Sequence, residues 1–191
     1  MLPTALHYSR QLLKEVLQTG DIAVDATMGN GHDTLLLAEL VGTTGLVYAF
    51  DVQITAVENT KKRLYETPWE QSVQLIYDGH ENLPYYIPLE TPIKAAIFNL
   101  GYLPKSDKTV ITLPETTKKA LDELLLRLVP KGRIVIVAYY GHEGGERELQ
   151  TVRQYCEALP QEKYNVLNYQ FINQKNQPPI LFCIEKKKPR N

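Results

Sequence analysis

Asp25-Ala26-Thr27-Met28-Gly29-Asn30-Gly31-His32-Asp33-Thr34 joins an apolar run, Ile22, Ala23 and Val24, to a helical run over 35–40. A strand, a glycine turn and a helix therefore follow in order. Gly29 and Gly31 permit positive φ and a close backbone approach to a ligand, and Asp33 or Thr34 is placed to cap the first helical amides. The next run, Leu46 to Phe50, reads as a second strand closed by the acid Asp51. That carboxylate lies at about the 20-residue offset at which an acid grips ribose hydroxyls in nucleotide-binding βαβ units.

The pair does not suit a dinucleotide. That fingerprint wants Gly or Ala at its third position, where this chain has Thr34, and here a carboxylate, Asp25, precedes the turn. A cofactor of the S-adenosylmethionine type has no pyrophosphate to rest on a helix N-terminus. It carries a free amino acid moiety that needs carboxylate, carbonyl and amide partners, which Asp25, Asn30 and Asp33 can supply. The competing reading is a plain βαβ turn in which Asp25 caps locally.

Outward from this unit, strands and helices alternate. Leu2, Leu6, Leu12, Leu13, Val16 and Leu17 recur at roughly helical spacing up to Gly20, predicting an N-terminal helix that covers the sheet or the cofactor mouth. A helix is expected over 54–65, with Ala56, Val57 and Leu64 buried and Lys61, Lys62 and Arg63 in solvent. Strands follow over 73–78 and 94–99. A helix over 114–129, stopped by Pro130 and Gly132, leads to a strand over 134–139, and another helix over 146–159 ends before Pro160. Leu167, Tyr169 and Phe171 alternate with polar residues as a sixth strand, and 180–184 make a seventh. Five strands alternate with helices, as parallel crossovers require, whereas the short Asn/Gln/Pro segment 173–179 suits a hairpin. The expected fold is α/β: a Rossmann-like, seven-stranded, mostly parallel sheet whose last strand is antiparallel, with helices on both faces.

Bulk properties narrow the class. At 191 residues, 43% hydrophobic and 23% charged, the chain suits a single domain over 1–191. A formal charge of −1 and a pI near 6.4 argue against a protein that coats nucleic acid generally, so any RNA contact must be local. Cys156 and Cys183 have no metal or disulfide spacing and read as buried thiols. No window approaches the roughly 20 apolar residues of a membrane span, so a cytoplasmic protein is expected. There is no Gly-x-Ser-x-Gly elbow, no Gly-Lys-Ser/Thr signature and no histidine cluster; a hydrolase, a P-loop enzyme and a catalytic metal are not expected.

In open α/β sheets ligands sit beyond the carboxyl ends of the strands, and here those ends are polar. They carry Asp25, then Asp51 and Gln53, Asp78-Gly79-His80, Asn99-Leu100-Gly101-Tyr102-Leu103-Pro104, and Tyr139-Tyr140-Gly141-His142-Glu143-Gly144-Gly145. All five are expected to face one cleft. Asn99 and Tyr102 combine an amide with an aromatic ring, a set that accepts hydrogen bonds from an amine and stacks on a base. Transfer of a methyl group from a sulfonium to such an amine needs chiefly positioning. His142 is a candidate to take the amine's proton, against a plain loop role, and His80 a candidate cofactor contact, against a helix-start role. His7 reads as helix surface or rim, and His32 as a stabiliser of the turn.

Together, Asp25 to Thr34, Phe50-Asp51-Val52-Gln53, Phe98 to Pro104 and Tyr140 to Gly145 resemble the MnmM (YtqB-like) family of class I methyltransferases. The resemblance covers nearly the whole chain. It implies an S-adenosylmethionine-dependent tRNA methyltransferase that converts a wobble 5-aminomethyl-2-thiouridine to its methylaminomethyl form. It further implies that Asn30, Asp33, Asp51, Gln53 and His80 hold the cofactor while Asn99, Tyr102, Tyr139 and His142 surround the base. The partner would be a tRNA anticodon stem-loop, whose single-stranded base can be splayed into the cleft and stacked on Tyr102 or Tyr139. Lys105, Lys108, Lys118, Lys119 and the tail Lys186-Lys187-Lys188-Pro189-Arg190 are the candidate phosphate contacts. A homodimer through exposed helices is compatible with the sequence. The alternatives are a small-molecule or rRNA methyltransferase and a cofactor-binding module without catalysis.

Overall fold

Short runs of Val, Ile, Ala and Phe form the central strands, and these residues are buried on both faces, as a parallel sheet covered by helices requires. The computed structural model describes residues 1–101 and 110–189. Its elements are α1 (Ala5–Lys14), β1 (Ile22–Asp25), α2 (His32–Val41), β2 (Leu46–Asp51), α3 (Ile54–Leu64), β3 (Val73–Tyr77), β4 (Ile93–Leu100), α4 (Pro114–Arg127), β5 (Leu128–Ala138), α5 (Gly145–Glu157), β6 (Tyr164–Tyr169) and β7 (Ile180–Lys186). The strand order is β3-β2-β1-β4-β5-β7-β6. Strands β1 to β5 pair in parallel, and β7 enters antiparallel between β5 and β6. The hairpin expected from segment 173–179 is therefore present.

The two-residue period of a strand divides the core. Val24, Phe50, Phe98 and Ile136 face α4 and α5, where Leu121, Leu124, Leu149 and Val152 cover them. Ala23, Val47, Ile97 and Val137 face α1 and α2, meeting Leu12, Leu13, Leu37 and Val41. Helix α1 is tied down by more than this apolar stripe. Arg133 on β5 donates to Leu12 O at 3.0 Å and pairs with Glu15 at 2.6 Å, and Tyr169 Oη donates to Pro3 O at 2.7 Å.

Some element boundaries differ from the sequence reading. Helix α1 ends at Lys14 rather than near Gly20, and α4 passes directly into β5 at Leu128. Leu128 pairs with Ile93 before the register shifts at 131–132, where Lys131 adopts a φ of 62°. Pro130 and Gly132 thus mark an irregularity inside the strand instead of a gap before it. Strand β6 begins at Tyr164, three residues ahead of the first expected alternation.

Candidate active site

The glycine turn determines where everything else sits. Gly29 and Gly31 have φ values of 52° and 82°, left-handed conformations that cost any other residue about 1–2 kcal/mol. Gly31 is the N-cap of α2, and it has no side-chain cap bond. The capping expected of Asp33 or Thr34 does not occur, because both side chains have stronger engagements. Thr34 Oγ1 donates to Asp25 at 2.7 Å, and Asp33 accepts from Arg10 and Asn99.

Asp25 has no solvent exposure. Its other oxygen accepts the Thr27 amide at 3.2 Å, so the carboxyl shapes the turn from behind and lines neither site cavity. Burial, reinforced by the neighbouring Asp33 carboxylate, pushes its pKa up to about 7. Asp51, at the end of β2, accepts the Gly29 amide at 3.0 Å and the Gln53 amide at 3.0 Å. It therefore stitches the second strand to the glycine turn. Burial raises its pKa and these amide bonds oppose the rise.

Among the described residues the strand ends line two adjoining cavities. The first, about 290 Å³, is bounded by Asp51, Gln53, Asp78 and His80. The second, about 640 Å³, is bounded by Arg10, Asn30, Asp33, Tyr139 and His142. Thr27, Gly29, Asn99 and Gly101 border both. Of the expected cofactor ligands, Asp51, Gln53 and His80 border the first cavity, and Asn30 and Asp33 the second. The Asn30 side chain accepts from Asn59 at 3.1 Å, and its carbonyl accepts from Arg63 at 2.7 Å. Arg63 is exposed, as expected, and also braces the turn, contacting His32 at 3.2 Å.

His80 is buried, and its Nδ1–H donates to Ala26 O at 2.9 Å. Burial lowers its pKa, which favours the neutral ring, so Nε2 carries a lone pair; among the described residues it has no partner. Asp78, at a strand end expected to face the cleft but given no ligand role, accepts from Asn82, Tyr86 and the Gly79 amide. The Asn82 bond is the main cause holding its carboxyl below the usual range.

Asn99 borders both cavities. Its amide N–H donates to Thr27 Oγ1 at 2.7 Å and its Nδ2 donates to Asp33 Oδ2 at 2.8 Å. Its Oδ1 is buried and has no hydrogen-bond partner among the described residues. Tyr139 and His142 stand close by: a methyl group added at Gly101, whose φ is 149°, would lie 3.3 Å from Tyr139 Cβ and 3.7 Å from His142 Cε1. Tyr102, Lys105 and Lys108 lie outside the described residues. Gly101 exchanges hydrogen bonds with Thr112, at 3.0 and 2.9 Å, and Thr112 in turn donates to the buried Glu148 at 2.8 Å. No local sequence signal places Glu148 near the site.

Two sets of expected phosphate contacts separate here. Lys118 and Lys119 are exposed near the start of α4, the helix whose Thr116 borders the first cavity. Lys186 ends the antiparallel β7 where it pairs with the start of β6, so the tail leaves from the sheet edge away from the cavities; Arg190 lies outside the described residues. Lys186 Nζ is already bound to Leu128 O at 2.7 Å. No helix among the described residues is long and apolar enough to cross a membrane.

The strand order, the antiparallel β7 and the acid-ended β2 beside a glycine turn define the class I methyltransferase fold. Residues 47–185 match the family model described as "Putative rRNA methylase", and the chain belongs to that family. It is 35% identical over 181 residues to the chloroplastic tRNA (mnm(5)s(2)U34)-methyltransferase of Arabidopsis thaliana, covering 91% of this chain and 66% of the plant protein's length. The structure of a "putative rRNA-methylase" from Clostridium thermocellum superposes with a TM-score of 0.94 at 45% identity, covering 97% of this chain and 99% of that one. A Streptococcus mutans structure in complex with SAH gives 0.89 at 44% identity, with the same coverage of 97% and 99%.

Proposed function

We propose that this chain is an S-adenosylmethionine-dependent N-methyltransferase acting on the aminomethyl group of a wobble 5-aminomethyl-2-thiouridine in tRNA. The observation that carries the reading is the buried Asn99 Oδ1, which has no hydrogen-bond partner among the described residues and belongs to a side chain bordering both cavities, because it offers an acceptor where a donor and a cofactor would meet. The likeness to the plant tRNA methyltransferase supports the substrate, and the SAH complex of the Streptococcus relative supports the cofactor.

The first cavity suits such a cofactor. Its carboxylates, Asp51 and Asp78, accept from hydroxyl and amino groups, and His80 Nε2, which has no partner among the described residues, adds a third acceptor. Asp51, Gln53, Asp78 and His80 are assigned to the cofactor, Asp25 to the shape of the turn, and Asn30 and Asp33 to the substrate side. When bound, the cofactor supplies an electrophilic methyl whose sulfur keeps the electron pair of the broken C–S bond. The chain's own work is to hold a neutral amine. Asn99 Oδ1 takes one N–H and leaves the lone pair to form the N–C bond; the ammonium so produced sheds one proton, for which His142 is the nearby candidate base. Tyr139 offers the flat surface on which a splayed base can stack.

The test is methyl transfer to tRNA lacking the terminal methyl, read by nucleoside mass spectrometry. Asn99→Ala is expected to lower turnover by on the order of 100-fold with little change in cofactor affinity. Asp51→Ala should weaken cofactor binding directly. Methylation of rRNA or a small amine in preference to the tRNA would refute the substrate, and equal loss of cofactor affinity in both variants would refute the division of roles.

A further inference from the structure

Asn99 is useful to an amine only if its amide points one way. The Nδ2 group lies 2.8 Å from Asp33 Oδ2, and the reverse orientation would put two acceptor oxygens at that distance. Asp33 itself is fixed from the other side, since Arg10 Nε donates to its Oδ1 at 2.9 Å. Both partners can only donate at these atoms, and the Asp33 carboxylate can only accept. The Arg10 side chain is about one-third exposed and that of Asp33 is 8% exposed, and both line the second cavity. Arg10 comes from α1, which is anchored through Arg133 and Tyr169 to the far half of the sheet.

We propose that the Arg10–Asp33 pair sets the polarity of the Asn99 amide, making Arg10 and Asp33 positioning residues that select a substrate able to donate an N–H. The inference rests on the amine-methylation reading for its functional consequence. It makes a prediction that a merely structural tie would not. In Asp33→Asn, Arg10 remains an obligate donor and holds the new side chain's oxygen, which turns its amino group toward Asn99. Asn99 must then present its oxygen to position 33 and its NH2 to the cavity. Adding Arg10→Met releases position 33 to rotate, and Asn99 regains its original sense.

The experiment compares wild type, Asp33→Asn, Arg10→Met and the double variant on tRNA bearing the aminomethyl group, with thermal melting and SAH calorimetry as controls. Asp33→Asn is expected to lose on the order of 100-fold in kcat with SAH affinity within about twofold, and Arg10→Met less than about tenfold. The double variant should recover at least about tenfold over Asp33→Asn. A second readout needs no activity: the Asn99 side-chain amide resonances in a 15N–1H spectrum, assigned by their loss in Asn99→Ala. They should move in Asp33→Asn and return in the double variant. A double variant no better than Asp33→Asn in either measurement overturns the inference. Wild type that shows the spectral pattern but does not methylate this tRNA would instead overturn the amine reading and leave the polarity relay standing.

Discussion

Replacing Asp25 by Asn tests the electrostatics beneath the glycine turn. Its carboxyl titrates near 3.8 in an open chain and at about 7 in the folded protein, with burial the main cause and the Asp33 charge the second. A value raised on folding means that the native state prefers the protonated form. The stabilising contribution is therefore complete below pH 3.8 and is lost as pH rises through about 7. At about 1.4 kcal/mol per pH unit, the full loss is on the order of 4 kcal/mol, of which roughly 3 falls between pH 5 and pH 9. An Asn side chain keeps the oxygen that accepts the Thr27 amide, and its amino group can donate to Thr34 Oγ1, which reverses its role. It has nothing to titrate. Urea unfolding at pH 5 and 9 should thus show wild type losing roughly 3 kcal/mol more than Asp25→Asn, a relative midpoint shift of about 1–2 M for an m-value of about 2 kcal/mol/M. Parallel pH dependence in the two proteins would refute the argument, since the substitution removes the titrating carboxyl and the exchanged Thr34 bond does not titrate.

Gly31→Ala should destabilise the protein by roughly 2–4 kcal/mol in the same assay, because a Cβ there would lie 2.9 Å from the Thr60 backbone at a φ of 82°. A loss below about 1 kcal/mol would mean that α3 moves aside freely. Cys156 and Cys183 are buried, and burial pushes both thiols up to about 12, so neither should react with a thiol reagent at pH 8 until urea unfolds the chain. Rapid labelling of the native protein would show that the β5–β7–α5 region opens locally.

Much of the architecture was legible because its signals are local. The period of two that separates Ala23, Val47 and Ile97 from Val24, Phe50 and Phe98 is written in the strands themselves, and the hairpin follows from the short polar connection ahead of Ile180. The ends of β1 to β5 were readable for the same reason: polar residues interrupt apolar runs at Asp25, Asp51, Asp78, Asn99 and Tyr139. What the sequence could not supply was how those ends divide the space between them. Thr27 is an ordinary turn residue until its hydroxyl accepts the Asn99 amide 72 positions away, which places it at the border of both cavities. The position of the tail lysines was illegible in the same manner, because it follows from the reversed direction of β7 and not from their charge.

Asp33 shows where local reading stops. A carboxylate two residues after a glycine N-cap can cap the helix, bind a ligand or tie two elements together, and its neighbours in sequence are equally compatible with all three. The choice is made by Arg10, 23 positions earlier, and Asn99, 66 positions later, which arrive from opposite sides of α2. One trace of this was visible. Arg10 shares the N-terminal helix with the apolar stripe of Leu12 and Leu13, so a helix that covers the cofactor mouth, as the sequence suggested, must bring a cation to that mouth. A buried acid on the facing helix is the partner that would lower the cost of desolvating it. Both oxygens of Asp33 are thereby engaged by donors far away in sequence, an arrangement that only the tertiary structure could bring about.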